Sequence, residues 1–142
     1  MTEILQALPT RNLDVDYTAL ARLQRGLDGV DSAMAAVATN HGCTLSMYQL
    51  LLAVRVRRQA ERVDIGMLAN ALGVRHPSAA EMVRKAVASG FVTLAADEYD
   101  ARRVLVELTA DGHRTVNAVA SGHREELRRA RAGFIAALNA LQ

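Results

Sequence analysis

Apolar residues recur along this chain at two periods, and each change of period marks an element. From about residue 16 to residue 40, Leu20, Leu23, Leu27, Val30, Met34 and Val37 step by alternating threes and fours. That spacing predicts a long helix with one apolar seam. Asn40-His41-Gly42 ends it. Residues 46–58 predict a second helix, whose MYQLLLAV segment is apolar nearly all round and so suited to a core. Asp64 suits the N-cap of a short helix that runs to Leu72 and stops at Gly73. A fourth helix is predicted over 77–89, with Pro77 at its first position, Ser78 and Glu81 at capping-box spacing, and Gly90 as its stop.

The period then shortens to two. FVTLAA (91–96) and RRVLVEL (102–108) read as strands joined by a solvated acidic turn, Asp97-Glu98-Tyr99-Asp100. Thr109 is placed to cap a last long helix, in which Val116, Val119, His123, Leu127, Ala130, Phe134, Leu138 and Leu141 again step near 3.5. His123 reads as a core or seam histidine. The first residues, MTEILQALPTRNL, read as a loose leader broken by Pro9 and Asn12.

Two short helices joined by a glycine turn and followed by a hairpin describe a winged helix-turn-helix. The expected fold is therefore mainly α with a small β-hairpin wing, a single domain over 1–142. Residues 45–109 form the winged unit, and 16–40 and 110–142 are long dimerisation helices. Neither terminal helix can bury its seam on a domain this small, so the termini of two chains are expected to pair as a homodimer.

At 142 residues and 51% hydrophobic content, the chain is expected to fold rather than stay disordered. Its single cysteine, Cys43, excludes an intrachain disulfide. No apolar run approaches the roughly 18 residues of a membrane helix and no secretory leader opens the chain, so a cytoplasmic protein without a membrane partner is expected. The net charge of +2 is small but uneven: residues 1–40 are acidic on balance and residues 55–85 basic. The middle of the chain is thus where an anionic partner would bind.

One stretch carries a more specific message. Asp100-x-Arg102, followed by Leu108-Thr109-x-x-Gly112, resembles the wing signature of the MarR family, the multiple-antibiotic-resistance regulators. Gly90-Phe91-Val92 looks like the Gly-Leu-Val at which that family's recognition helix ends, and the resemblance in element order covers roughly residues 16–142. It implies a dimeric transcription regulator, usually a repressor, that binds double-stranded DNA and is released by a small aromatic or phenolic effector. No cofactor is implied.

The resemblance also implies site residues. At the start of the recognition helix, Arg75, His76, Ser78, Ala79 and Met82 are expected to face base edges, with Arg84 and Lys85 further along to meet phosphates. At the wing, Arg102 and Arg103 alternate across the strand, so one enters the minor groove and the other meets phosphate or a carboxylate, with Asp100 as the organiser. The family commonly carries Ser or Thr and then Arg where this chain has Ala80 and Glu81, and Arg where Leu94 stands. Each replacement removes a donor. A winged-helix module that binds a protein through Phe91, Leu94 and the Ala-rich helix face is the alternative. Tyr17, Arg22, Met47, Tyr48 and Leu51 lie on elements that border the family's effector cleft, although core packing explains the last three equally well.

Other chemistry is thinner. Cys43 beside His41 at a helix start suggests a thiol-based redox sensor as a further alternative, against the usual buried cysteine. A zinc site would need His41, Cys43, His113 and His123 to converge without local ligand spacing, and no metal is expected. No Ser/His/Asp set, phosphate-cradling loop or catalytic carboxylate pair is present, so an enzyme is not expected.

Overall fold

In a computed structural model, residues 13–58 and 62–141 are described, with side chains from residue 16 onward; the leader expected over 1–13 lies outside them except for Leu13, which opens the first helix instead. The elements are α1 (Leu13–Asn40), α2 (Leu45–Arg57), α3 (Ile65–Leu72), α4 (His76–Ala88), β1 (Val92–Ala96), β2 (Val104–Leu108) and α5 (Ala110–Asn139).

These residues form two compact units. One comprises the described residues up to Ala33 and from Glu125 onward; the other is Met34–Arg124. The boundaries expected at 45 and 109 therefore fall inside the second unit, which takes in the inner ends of both long helices. Core packing explains why. Met34, Ala38, Val116 and Val119 are all buried. Val37 lies so close to Gly122 that a Cβ there would stand 2.6 Å from a valine methyl. The inner parts of both seams thus serve the winged core.

In that core, Tyr48, Leu50, Leu51 and Val54 of α2 are buried with Leu68 of α3 and Ala79, Val83 and Ala86 of α4. Each large side chain there contributes about 1.5–3 kcal/mol relative to exposure. Local signals fix the helix ends. Asp64 Oδ1 accepts from Met67 N–H at 2.8 Å to start α3, and Gly73, at φ 65°, ends it in the left-handed region open to glycine. Gly90 N–H donates to Val87 C=O and Phe91 N–H to Ala86 C=O, each at 3.0 Å, which turns the chain from α4 into the hairpin.

The capping box expected at α4 does not form. The helix starts one residue earlier than the sequence suggests, with Arg75 as an N-cap that makes no side-chain hydrogen bond and Pro77 in the first turn. Ser78 is then inside the helix and cannot cap it. Glu81 turns instead to Arg84, 2.6 Å away.

β1 and β2 pair antiparallel from Val92↔Leu108 to Ala96↔Val104. On β2, Val106 N–H donates to Val63 C=O at 2.7 Å, and Asp64 bridges to Leu105, so the residues before α3 also join the sheet. β2 begins at Val104 rather than at residue 102. Asp100 consumes the preceding amides: its carboxylate accepts from Arg102 N–H and its carbonyl from Arg103 N–H, each at 3.0 Å. Both arginines therefore sit in the turn and do not alternate on a strand.

The Leu-Thr-x-x-Gly stretch is a joint between hairpin and helix. Thr109 Oγ1 accepts from Gly112 N–H at 3.0 Å, capping α5, and donates to Gly90 C=O at 2.6 Å. Thr109 N–H donates to Phe91 C=O at 3.0 Å. A Cβ on Gly112 would stand 2.0 Å from that same Phe91 oxygen, so only glycine permits the approach.

In the first unit, α1 and α5 meet mainly through small residues that lie outside the expected seams. Ala19 and Ala137 are buried, and a Cβ on Gly26 would meet the Phe134 ring at 3.0 Å. Small residues explain the fit, since they let the helices approach. Tyr17, Leu20, Leu27, Leu127, Ile135 and Leu138 remain exposed. Among the described residues, no helix is long and apolar enough to cross a membrane.

Candidate nucleic-acid interface

α4 presents a polar, mostly basic surface. Arg75, His76, Ser78, Arg84 and Lys85 are exposed and Met82 is half-buried. Ala79 is a correction. Expected to face bases, it is fully buried, because 3.6 residues per turn place it with Val83 and Ala86 on the inward side. The Arg84 guanidinium is paired with Glu81 on the exposed surface, which lowers the positive charge on this part of the helix.

The wing separates its two arginines. Arg102 is almost wholly exposed, with 98% of its side-chain surface open, and its Nε stands 3.9 Å from the Asp100 carboxylate. Asp100 organises the turn through the Arg102 amide rather than by gripping the guanidinium. Arg103 points inward. Its Nε donates to Asp64 Oδ2 at 2.7 Å, Nη1 to Asp97 Oδ2 at 3.1 Å, and Nη2 to the Arg62 carbonyl at 2.8 Å and Met67 Sδ at 3.4 Å. The guanidinium is committed to four groups of the protein itself.

Asp97 corrects the reading of the turn as wholly solvated. It is buried, accepts from Tyr99 N–H at 2.9 Å, and also pairs with Arg62 at 3.2 Å. Arg62 in turn lies 5.0 Å from the centre of the exposed Tyr99 ring. The Tyr99 amide, aided by Arg103 and Arg62, holds the Asp97 carboxyl below its ordinary range against the opposing effect of burial. Burial would raise Asp64, but the Met67 amide and Arg103 outweigh it and its carboxyl is lowered. Asp64 thus has two functions, one on each carboxylate oxygen: cap of α3 and anchor of the wing.

The sequence marks Asp97 only as part of a solvated turn, and it marks neither Arg62 nor this second role of Asp64. Asp64 and Arg103 lie on separate elements, so no local spacing reveals their contact. The fold also opens a cleft of about 430 Å³ lined by Ile65, His76, Asp100, Arg102 and Val104 among others. It brings the first residue of α4 and the exposed wing arginine to one opening.

The remaining candidates are dispersed. Tyr48 and Leu51 are buried in the winged core, Met47 is half-buried beside them in sequence, and Tyr17 and Arg22 are exposed on the first unit. The Tyr48 hydroxyl hydrogen-bonds His123 Nδ1 at 2.8 Å, with the rings edge to face. Tyr48 and Leu51 are accounted for by core packing. Met47, Tyr48 and Leu51 line neither the cleft just described nor a larger one of about 690 Å³ bordered by Arg58, Arg62 and His113. Cys43 is buried, and desolvation pushes its thiol up, the opposite of the depressed value a thiol sensor needs. Arg58 donates to His113 Nε2, and burial together with the Arg58 and Arg55 charges lowers the pKa of that ring.

Compared by sequence, the chain matches no family model and no curated protein. Compared by structure, it matches many solved chains. A MarR family transcription regulator superposes with a TM-score of 0.74 at 17% identity, over 87% of this chain and 80% of the other. A mutant of MarR from E. coli, solved in complex with operator DNA, matches at 0.66 and 21%, over 82% and 84%. CouR from Rhodococcus jostii, bound to p-coumaroyl-CoA, matches at 0.66 and 22%, over 75% and 73%. With its helix order, its hairpin and these superpositions, the chain has the winged-helix fold of the MarR-type transcription regulators.

Proposed function

We propose that this protein is a DNA-binding transcription regulator that acts as a homodimer, a repressor released from a pseudo-palindromic operator by a small aromatic or phenolic effector. The observation that carries the reading is that His76, the exposed first residue of α4, and the almost fully exposed Arg102 guanidinium line one cleft. α4 enters the major groove, where Arg75, His76, Ser78 and Met82 face base edges and Lys85 meets phosphate. Arg102 reaches the minor groove, whose concentrated negative potential favours a guanidinium. The operator complex of the E. coli neighbour supports the DNA partner, and the p-coumaroyl-CoA complex of CouR supports an aromatic effector.

The dimer is supported by the six large apolar side chains that α1 and α5 leave exposed in a single chain. Two copies then present two α4 helices to half-sites about 10 base pairs apart. The test is titration of the protein against the duplex upstream of its own coding region, at several salt concentrations and with unrelated duplex as competitor. Competitor-resistant binding that weakens steeply with salt is expected, because each neutralised phosphate releases counterion. Equal affinity for both duplexes, or none at low salt, overturns the proposal.

A further inference from the structure

We infer that Arg103 is a positioning residue for DNA binding: it ties the wing to the start of α3, and the exposed Arg102 is effective only while that tie holds. The inference rests on the DNA-binding reading above. The Arg103 guanidinium reaches four partners from three segments: the Asp64 carboxylate, the Arg62 carbonyl, Met67 on α3 and the Asp97 carboxylate at the end of the hairpin. A planar fork with donors in fixed directions can satisfy such partners together, and an ammonium cannot.

The chain order makes the link mechanical. Arg102 and Arg103 are adjacent, so the backbone that carries the exposed guanidinium is held by the half-buried, paired one. Asp97 secures the turn from its other side through Tyr99 N–H at 2.9 Å. On the α3 side the same Asp64 carboxylate caps the helix, so the tie ends on a fixed element rather than on a loop. Asp100, by contrast, reaches the Arg102 side chain only at 3.9 Å. Without Arg103 the wing keeps its short strand ladder but loses its anchor to the body of the winged unit. The side chain of Arg102 then has to be ordered at the expense of binding.

Charge gives the proposal a distinctive test. Asp97→Asn and Asp64→Asn each make the protein more positive, which by simple attraction to phosphate would tighten DNA binding. If the two carboxylates act through Arg103, both variants instead weaken operator binding, by a fewfold. Arg103→Ala and Arg103→Lys are both expected to weaken it on the order of tenfold, although lysine keeps the charge. The double variant Arg102→Ala with Arg103→Ala should bind no more weakly than Arg102→Ala alone, because the effect of Arg103 is carried by Arg102. Thermal melts of each variant separate these effects from loss of the fold.

Tighter binding by the Asn variants, wild-type binding by Arg103→Lys, or additive losses in the double variant each overturn the inference. The last two outcomes would make Arg103 a direct phosphate contact. If the wild-type protein binds no DNA, the regulator reading fails on its own. The anchoring is then read by amide hydrogen exchange at Tyr99 and Arg102, which Arg103→Ala is expected to accelerate and which unchanged exchange would refute.

Discussion

The two compact units spend their apolar residues differently. In the winged unit, the large side chains of α2, α3 and α4 turn inward, and Tyr48, Leu50, Leu51, Val54, Leu68 and Val83 are buried in a single chain. In the unit built from the outer parts of α1 and α5, small residues are the buried ones. Ala19 and Ala137 are covered, whereas Leu20, Leu27 and Leu138 are about half exposed, at 51%, 53% and 55%. The first arrangement completes a core by itself. The second brings two helices close through Gly26 and Phe134 but leaves its leucines facing outward, which is the arrangement expected of a surface made for another copy. On the proposed function, stability and DNA contact belong to one unit, and assembly to the other.

That contrast can be broken most severely at Gly112. Its alanine variant forces a methyl into the Phe91 carbonyl, and about 3 kcal/mol or more of stability should be lost in chemical denaturation. A variant of unchanged midpoint would show that the joint between hairpin and α5 yields easily. The matching experiment on the other unit is Leu27→Asp combined with Leu138→Asp. Sedimentation should show a dimer weakened by on the order of a hundredfold, about 2.7 kcal/mol, while the winged unit keeps its fold. A dimer of full strength would place the contact elsewhere.

Tyr48→Phe sharpens the comparison inside the core. It leaves His123 Nδ1 without its partner and should cost about 1 kcal/mol, with no change in oligomeric state. The smallest effect concerns acid. Burial, with Arg58 and Arg55 nearby, holds His113 below its ordinary 6.5. The unfolded chain therefore takes up that proton first, so the contribution is complete above about pH 6.5 and declines as the pH falls through the lower folded value. Asp64 and Asp97, both depressed, add a second decline only below their ordinary 3.8. His113→Asn should remove the upper decline in melting temperature and leave the lower one. Identical profiles for variant and wild type would contradict the assignment.

How much of this was legible in the sequence depended on the range of the interaction. Asp64, Gly73, Gly90 and Thr109 end or begin helices through bonds to residues at most a few positions away, and each is visible as a cap or stop. The capping box at Ser78 and Glu81 had the right spacing but the wrong frame, because α4 starts at His76 and places the serine inside its first turn. Ala79 carries no polarity to mark its side of the helix, so its burial is visible only once α4 is packed. Arg102 and Arg103 are chemically identical neighbours. What divides them is Asp64, brought by the pairing of β2 with residues 63 and 64, and Asp97, brought by the pairing of β1 with β2. The wing signature marked where to look, and tertiary structure decided which arginine is free.

The division of labour between the two units is tested most directly by hydroxyl-radical footprinting of the protein on the duplex upstream of its own coding region. Two protected patches about one helical turn apart and related by a two-fold axis are predicted, one for each winged unit of a dimer. A single protected half-site, or no protection at low salt, would contradict it.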